Sequence, residues 1–234
     1  MLAVHGTLQL IDGTAISAAL DAGDINSMDT LSKATRTAAK GSGWSVKRDV
    51  LSRQIGKYAL AVHPRRGSVE CIEFRAKPIV WDQTLWSILQ IEGNEKQPVS
   101  FHFLGAFTCD CPALIQETLV RSETPEETAE KMTLLASRAL AKGEIWQNFN
   151  LLHAAGCEQP QAAYRYHMTH VIERIESGDR RSAQLVCELA LSGELDLRST
   201  FSSIDNLSAP DADGRRESRS FFELAQLWMN RNKP

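Results

Sequence analysis

The sharpest local chemistry in the chain lies at Cys109-Asp110-Cys111-Pro112, two thiols separated by a single carboxylate. Thiols at the opening of a helix lose their protons early, because exposed N–H groups and aligned peptide dipoles favour the thiolate. Cys109 and Cys111 are therefore the redox or metal candidates, placed at what reads as a helix start. Redox pairs carry two residues between the cysteines, and a structural zinc needs two further ligands. Only Cys157 and His153 offer themselves, at no standard spacing, so a structural role for both thiols is the favoured reading and no metal is assigned.

Three other groupings invite the same question. His167, His170 and Glu173 follow one another at helical i, i+3 steps, a pattern able to chelate. On a wheel centred on Tyr164, Met168 and Ile175, however, His167 falls on the flank and the other two swing to the far side, so a solvated face is expected. Arg65 and Arg66, in a turn beside His63, are the anion-binding candidates, since guanidinium forks suit phosphate or carboxylate. Basic turns between strands also serve solubility, which is the preferred reading. Asp211-x-Asp213-Gly214 opens like a calcium loop but lacks the remaining oxygens and the closing Glu. No cofactor is expected. The chain has no phosphate-binding Gly-rich loop, nucleophile elbow or His-Glu-x-x-His motif, which lowers the odds of the common nucleotide-binding, hydrolase and zinc-protease families.

Elements must position whatever these residues do, and composition bounds those elements. The chain has 234 residues, long enough for a core without disulfide staples. Its hydrophobic share of 43% and charged share of 24% match ordinary globular proteins, and a net charge of −3 gives no footprint for nucleic acid. Five cysteines, an odd number in a chain of this size, argue for a reducing cytoplasm. No run is long and apolar enough to suggest a membrane span or a signal peptide, so neither nucleic acid nor membrane is expected as a partner. Residues 1–27 are Gly-, Ala- and Asp-rich with weak periodicity, and read as a loosely attached extension or a leader ahead of a start at Met28.

The hydrophobic period then changes along the chain. Asp29 can cap a helix running to about Lys40, with Gly41 and Gly43 as its exit. From Trp44 the period is two, through Tyr58, Leu60 and Val62, with turns at Ile55-Gly56-Lys57 and Pro64 to Ser68. A strand from Val69 to Ala76 ends at Lys77-Pro78. Asp82 then caps a helix through Ile91, with Trp81 and Trp86 as its hydrophobic staple. Val99, Phe101 and Phe103 alternate with Ser100 and His102, which predicts another strand pairing with the meander.

From Thr124-Pro125-Glu126-Glu127, a capping box with Pro at the first helical position, the period becomes 3.6. Helices are predicted to about Lys142, over Glu144 to Ala155, Gln161 to Ser177 and Arg180 to Leu191, and from the Ser220/Glu223 capping box onward. Residues 198–219 form a polar, mobile loop in this reading.

The block Arg75-Ala76-Lys77-Pro78-Ile79-Val80-Trp81-Asp82-Gln83-Thr84-Leu85-Trp86-Ser87-Ile88, followed by Phe103-Leu104-Gly105-Ala106-Phe107, resembles a pattern in small uncharacterised bacterial α+β proteins. The resemblance spans residues 29–120 and implies no activity.

The expected fold is therefore α+β: an antiparallel sheet of four to five strands over 28–122 with packed helices, followed by an all-helical portion over 123–234. The expected function is a non-enzymatic, cytoplasmic, protein-binding protein of a bacterium, of the immunity, secretion-chaperone or adaptor type, which could also pair with a second copy of itself. The alternative is an enzyme whose site assembles from Cys109, Cys111, His102 or His153. It requires those side chains to meet in the fold.

Overall fold

The structure is a computed structural model and describes residues 30–65, 70–120, 123–159, 163–197, 204–205 and 218–232. The expectations for residues 1–27, for the Asp29 cap, for Arg66 and for Asp211 to Gly214 lie outside the described residues, as does most of the 198–219 segment.

The period-two region folds as the meander it spells. Strands β1 (Ser45–Lys47), β2 (Val50–Ile55), β3 (Tyr58–Arg65), β4 (Cys71–Pro78) and β5 (Ala113–Thr118) form one antiparallel sheet in chain order. Helix α1 (residues 30–38) precedes the sheet, and Gly41 and Gly43 provide its left-handed exit at φ +79° and +77°. Alternation gives β3 and β4 two unlike faces. Leu60 pairs with Ala76, Val62 with Phe74 and Pro64 with Ile72, making an apolar face. On the other face His63 pairs with Glu73, Ala61 with Arg75 and Ala59 with Lys77. The two alanines are fully buried, and their small size leaves room for the long side chains opposite.

The segment joining β4 to β5 differs from the sequence reading in four ways. Helix α2 (Ile79–Leu89) begins directly after Pro78, which makes no side-chain cap. Asp82 therefore does not cap this helix: it sits inside the first turn, fully buried, and Trp81 and Trp86 both lie within the helix instead of stapling its approach. Residues 99–103 are not a strand. After Pro98, Phe101 N–H bonds Pro98 O and His102 N–H bonds Val99 O, opening the short helix α3 (Phe101–Leu104), because these backbone groups find local partners and no sheet edge. Cys109 and Cys111 stand in an extended loop leading into β5, so no helix opens at the thiols. The pairing of β4 with β5 shifts between Phe74 and Arg75, and Leu114 is the extra residue.

The remainder is helical as its caps and periods require. Helix α4 (Pro125–Ala141) carries the full Thr124/Glu127 capping box, and α8 (Arg180–Leu191) is capped by Asp179. The 144–155 stretch divides at Asn148 into α5 (Gly143–Gln147) and α6 (Phe149–Cys157). Helix α7 (His167–Glu176) follows a 3₁₀ turn, and α9 (Phe221–Arg231) opens on the Ser220/Glu223 box. Among the described residues the C-terminal portion thus holds six α-helices, together with a two-residue antiparallel pairing of β6 (Ile204–Asp205) and β7 (Ser218–Arg219).

Sheet and helices share one hydrophobic cluster. It joins Leu60, Val62, Ile72 and Phe74 to Met132 and Leu135 of α4, Val171 and Ile172 of α7, and Phe221 and Phe222 of α9. Each of these side chains, removed from water, stabilises the fold by about 1.5–3 kcal/mol before entropy is counted. No helix of the described residues is long and apolar enough to cross a membrane.

Candidate functional site

The second face of β4 is a row of charge inside the protein. Glu73 is 1% exposed and accepts from Arg75 Nε (3.0 Å) and Nη2 (2.6 Å) and from Arg65 Nη1 (3.2 Å). Burial by itself would raise the Glu73 carboxyl, but the adjacent Arg75 outweighs it and holds the group below its ordinary value. His63 Nε2 lies 3.7 Å from the same carboxylate, yet burial and Arg75 lower its pKa and keep it neutral.

One step beyond Arg75 on the same face stands Lys77, completely buried. Its Nζ donates to Asp82 Oδ1 (3.0 Å) and Cys109 O (2.6 Å), and lies 5.3 Å from the Phe103 ring centre. Asp82 also accepts from Cys109 N (2.6 Å) and approaches His102 Nδ1 at 2.5 Å. Burial opposes charge on both partners, but their mutual attraction wins: Lys77 is raised and Asp82 lowered. An ion pair removed from water survives only when its remaining lone pairs and protons are satisfied, and here Lys77 Nζ, Cys109 N and His102 Nδ1 converge on the Asp82 carboxylate while the lysine spends a second proton on Cys109 O.

These groups fix the loop 105–112. Trp86 Nε1 donates to Phe107 O (2.7 Å), Lys77 to Cys109 O, Thr169 Oγ1 of α7 to Asp110 O (2.6 Å), and Arg75 Nη1 to Asp110 Oδ1 (3.2 Å). Gly156 of α6 closes the other side, so tightly that a Cβ added there would lie 2.4 Å from Pro112 Cβ. The loop, α3 and the charged face of the sheet enclose a cavity of about 390 Å³. Val50, Phe103, Leu104 and Phe107 give it apolar walls, and His63, Arg75, His102, Cys109, Asp110 and Cys111 give it polar ones.

The fold thus brings together three of the residues singled out in the sequence, His102, Cys109 and Cys111. It does not arm the thiols. Both are 2% exposed, and burial pushes Cys109 well above the ordinary thiol range and Cys111 up to about 11. His153 lies apart, sealed in α6 against the Trp81 and Phe149 rings, with Cys157 Sγ 3.6 Å from Nε2. Arg65 is 51% exposed and directed at Glu73. His167, His170 and Glu173 gather no set of three metal-ligating side chains, and no such set exists among the described residues.

Sequence reasoning missed Lys77, Asp82 and Glu73 as parts of a site. Two signals were present: charges alternating along a strand bounded by apolar neighbours, and an acid in the first turn of an otherwise apolar helix. No protein-family model, curated protein or solved structure matches the chain.

Proposed function

We propose that this chain is a non-enzymatic protein-binding protein, of the immunity, secretion-chaperone or adaptor type, working in a bacterial cytoplasm, and that the cavity behind α3 receives its partner. The observation carrying this reading is the state of the cavity's polar groups. Arg75 is paired with Glu73 and Asp110, Lys77 with Asp82, and both thiols are held protonated. A recess whose charges are already neutralised inside the protein, and whose walls are aromatic and aliphatic, suits an anchoring side chain better than it suits covalent chemistry.

The test is capture from bacterial lysate on three baits: wild type, Leu104→Asp in the cavity wall, and Leu185→Asp on α8, where Leu185 is 54% exposed. A partner retained by wild type and Leu185→Asp but lost by Leu104→Asp supports the reading. Failure of wild type to retain any protein, or equal retention by all three baits, counts against it.

One observation favours a second reading, an enzyme using the same cavity. His102 is held at Nδ1 by Asp82, the arrangement that orients a general base. Hydrolysis of p-nitrophenyl acetate that is abolished by His102→Phe would establish it. Turnover no faster than in that variant would remove it.

A further inference from the structure

The cavity has a directional polar group at its wall. Asp82, ionised beside Lys77, can only accept hydrogen bonds, and His102 Nδ1 approaches it at 2.5 Å, so Nδ1 carries the proton. In the neutral imidazole the other nitrogen, Nε2, is then a bare acceptor. It makes no hydrogen bond among the described residues. The sealed, unpartnered side-chain atoms among the described residues are Ser52 Oγ and Glu123 Oε2, Nε2 is not one of them, and His102 lines the cavity, from which we infer that Nε2 faces it. The ring cannot turn to hide it. The Trp86 ring lies 5.3 Å away at 31°, and the Asp82 contact fixes the rotamer.

The rest of the lining constrains what can approach this nitrogen. Its two charged side chains, Arg75 and Asp110, are bonded to each other and sum to zero. Behind them Glu73 is matched by Arg65, and Lys77 by Asp82. Neither a cation nor an anion finds an uncompensated counter-charge. The walls are Phe103, Phe107 and Leu104, which favour an aromatic ring.

We propose that the cavity recognises an uncharged phenol, the tyrosine side chain of a protein partner, with its ring between Phe103, Leu104 and Phe107 and its hydroxyl donating to His102 Nε2. This rests on the binding reading above and specifies its chemistry. A phenol reads the site in both respects: the ring fills the apolar part, and the hydroxyl supplies the donor that the imidazole lacks. A site built to accept a hydroxyl discriminates strongly against the same ring without one.

The experiment uses the full chain labelled with ¹⁵N at pH 8, with phenol itself as the probe and anisole, benzoate and benzylamine as matched controls. In the free protein the His102 ring signals are expected to report Nδ1 protonated and Nε2 bare. Phenol should shift the Nε2 signal and the amides of residues 103–108 saturably. Anisole, benzoate and benzylammonium should bind at least tenfold more weakly. His102→Phe, which leaves Asp82 its bonds to Lys77 and Cys109, should lose the preference for phenol over anisole while keeping the fold.

The proposal is overturned if Nε2 carries the proton at pH 8, if phenol and anisole bind alike, or if the preference survives in His102→Phe. These outcomes are separable from failure of the binding reading. Partner capture lost by Leu104→Asp with no phenol preference leaves that reading standing with different ligand chemistry, whereas capture insensitive to Leu104→Asp removes both.

Discussion

Single residues decide what chemistry this molecule can do, and burial is the deciding quantity. Cys111 looks reactive in sequence because it pairs with a second thiol at what reads as a helix start, but burial pushes it up to about 11. Native protein at pH 7 should therefore leave Cys111 unmodified by iodoacetamide over a period in which the same cysteine in urea reacts fully. Rapid alkylation of the native thiol would restore the redox reading. His153 makes the corresponding statement about stability. Burial, with a smaller contribution from His170, lowers it from 6.5 to about 4, and Glu173 at 3.9 Å is too distant for a compensating hydrogen bond. A base depressed in the folded state contributes stability that is fully present above about pH 6.5 and is lost as pH falls toward 4, because the unfolded chain takes up the proton first. The loss attributable to His153 is on the order of 3 kcal/mol. Urea unfolding at pH 7 and at pH 4.5 should show a smaller difference for His153→Leu than for wild type. His63, His167 and His170, lowered in the same sense, sustain part of the slope. An unchanged slope would contradict the assignment.

Elements were legible where period and punctuation agreed. The box at Thr124 and the box at Ser220 mark helices that begin where they were expected, α8 begins at Arg180 as its period predicts, and the Ile55-Gly56-Lys57 turn separates β2 from β3 as read. The failures share a physical cause. Helix α3 has four residues, too few to display a 3.6 period, so the alternation of Phe101 and Phe103 carried the wrong signal. Strand β5, Ala-Leu-Ile-Gln-Glu-Thr, has no fully buried face and is composed partly of helix formers, so nothing in its pattern announces an edge strand. Asp82 stands where an N-cap would be expected and is in fact the acceptor for a buried lysine, a pairing that only the tertiary fold creates. The cavity was invisible for the same reason: β4, α2, α3 and the 105–112 loop meet there through contacts distant in sequence. The tightest contact at this scale is Gly156 of α6 against Pro112. Gly156→Ala would place a methyl carbon 2.4 Å from the proline ring, where neither backbone can yield cheaply. Thermal unfolding should show a loss of about 1–3 kcal/mol, even though alanine is the better helix former. A neutral or stabilising result would mean that α6 and the loop do not meet so closely.

At the scale of the whole molecule, the sheet and the C-terminal helices are bound by one cluster of apolar side chains, and the charged face of β4 turns away from it toward the cavity. Helix α7 links the two, since it buries Val171 and Ile172 in the core while its Thr169 holds the loop at Asp110. The molecule thus combines an apolar body with an apolar-walled recess whose charged groups are paired within the protein. That construction supports the proposed recognition of an anchoring side chain, and the affinity of the proposed protein partner is the direct measure of it. Titration calorimetry of the captured partner against wild type and against Leu104→Asp should give at least a tenfold weaker Kd for the variant, with its Tm within a few degrees of wild type. Equal affinities for the two proteins would contradict the account, because a carboxylate in the cavity wall could not then be facing the bound partner.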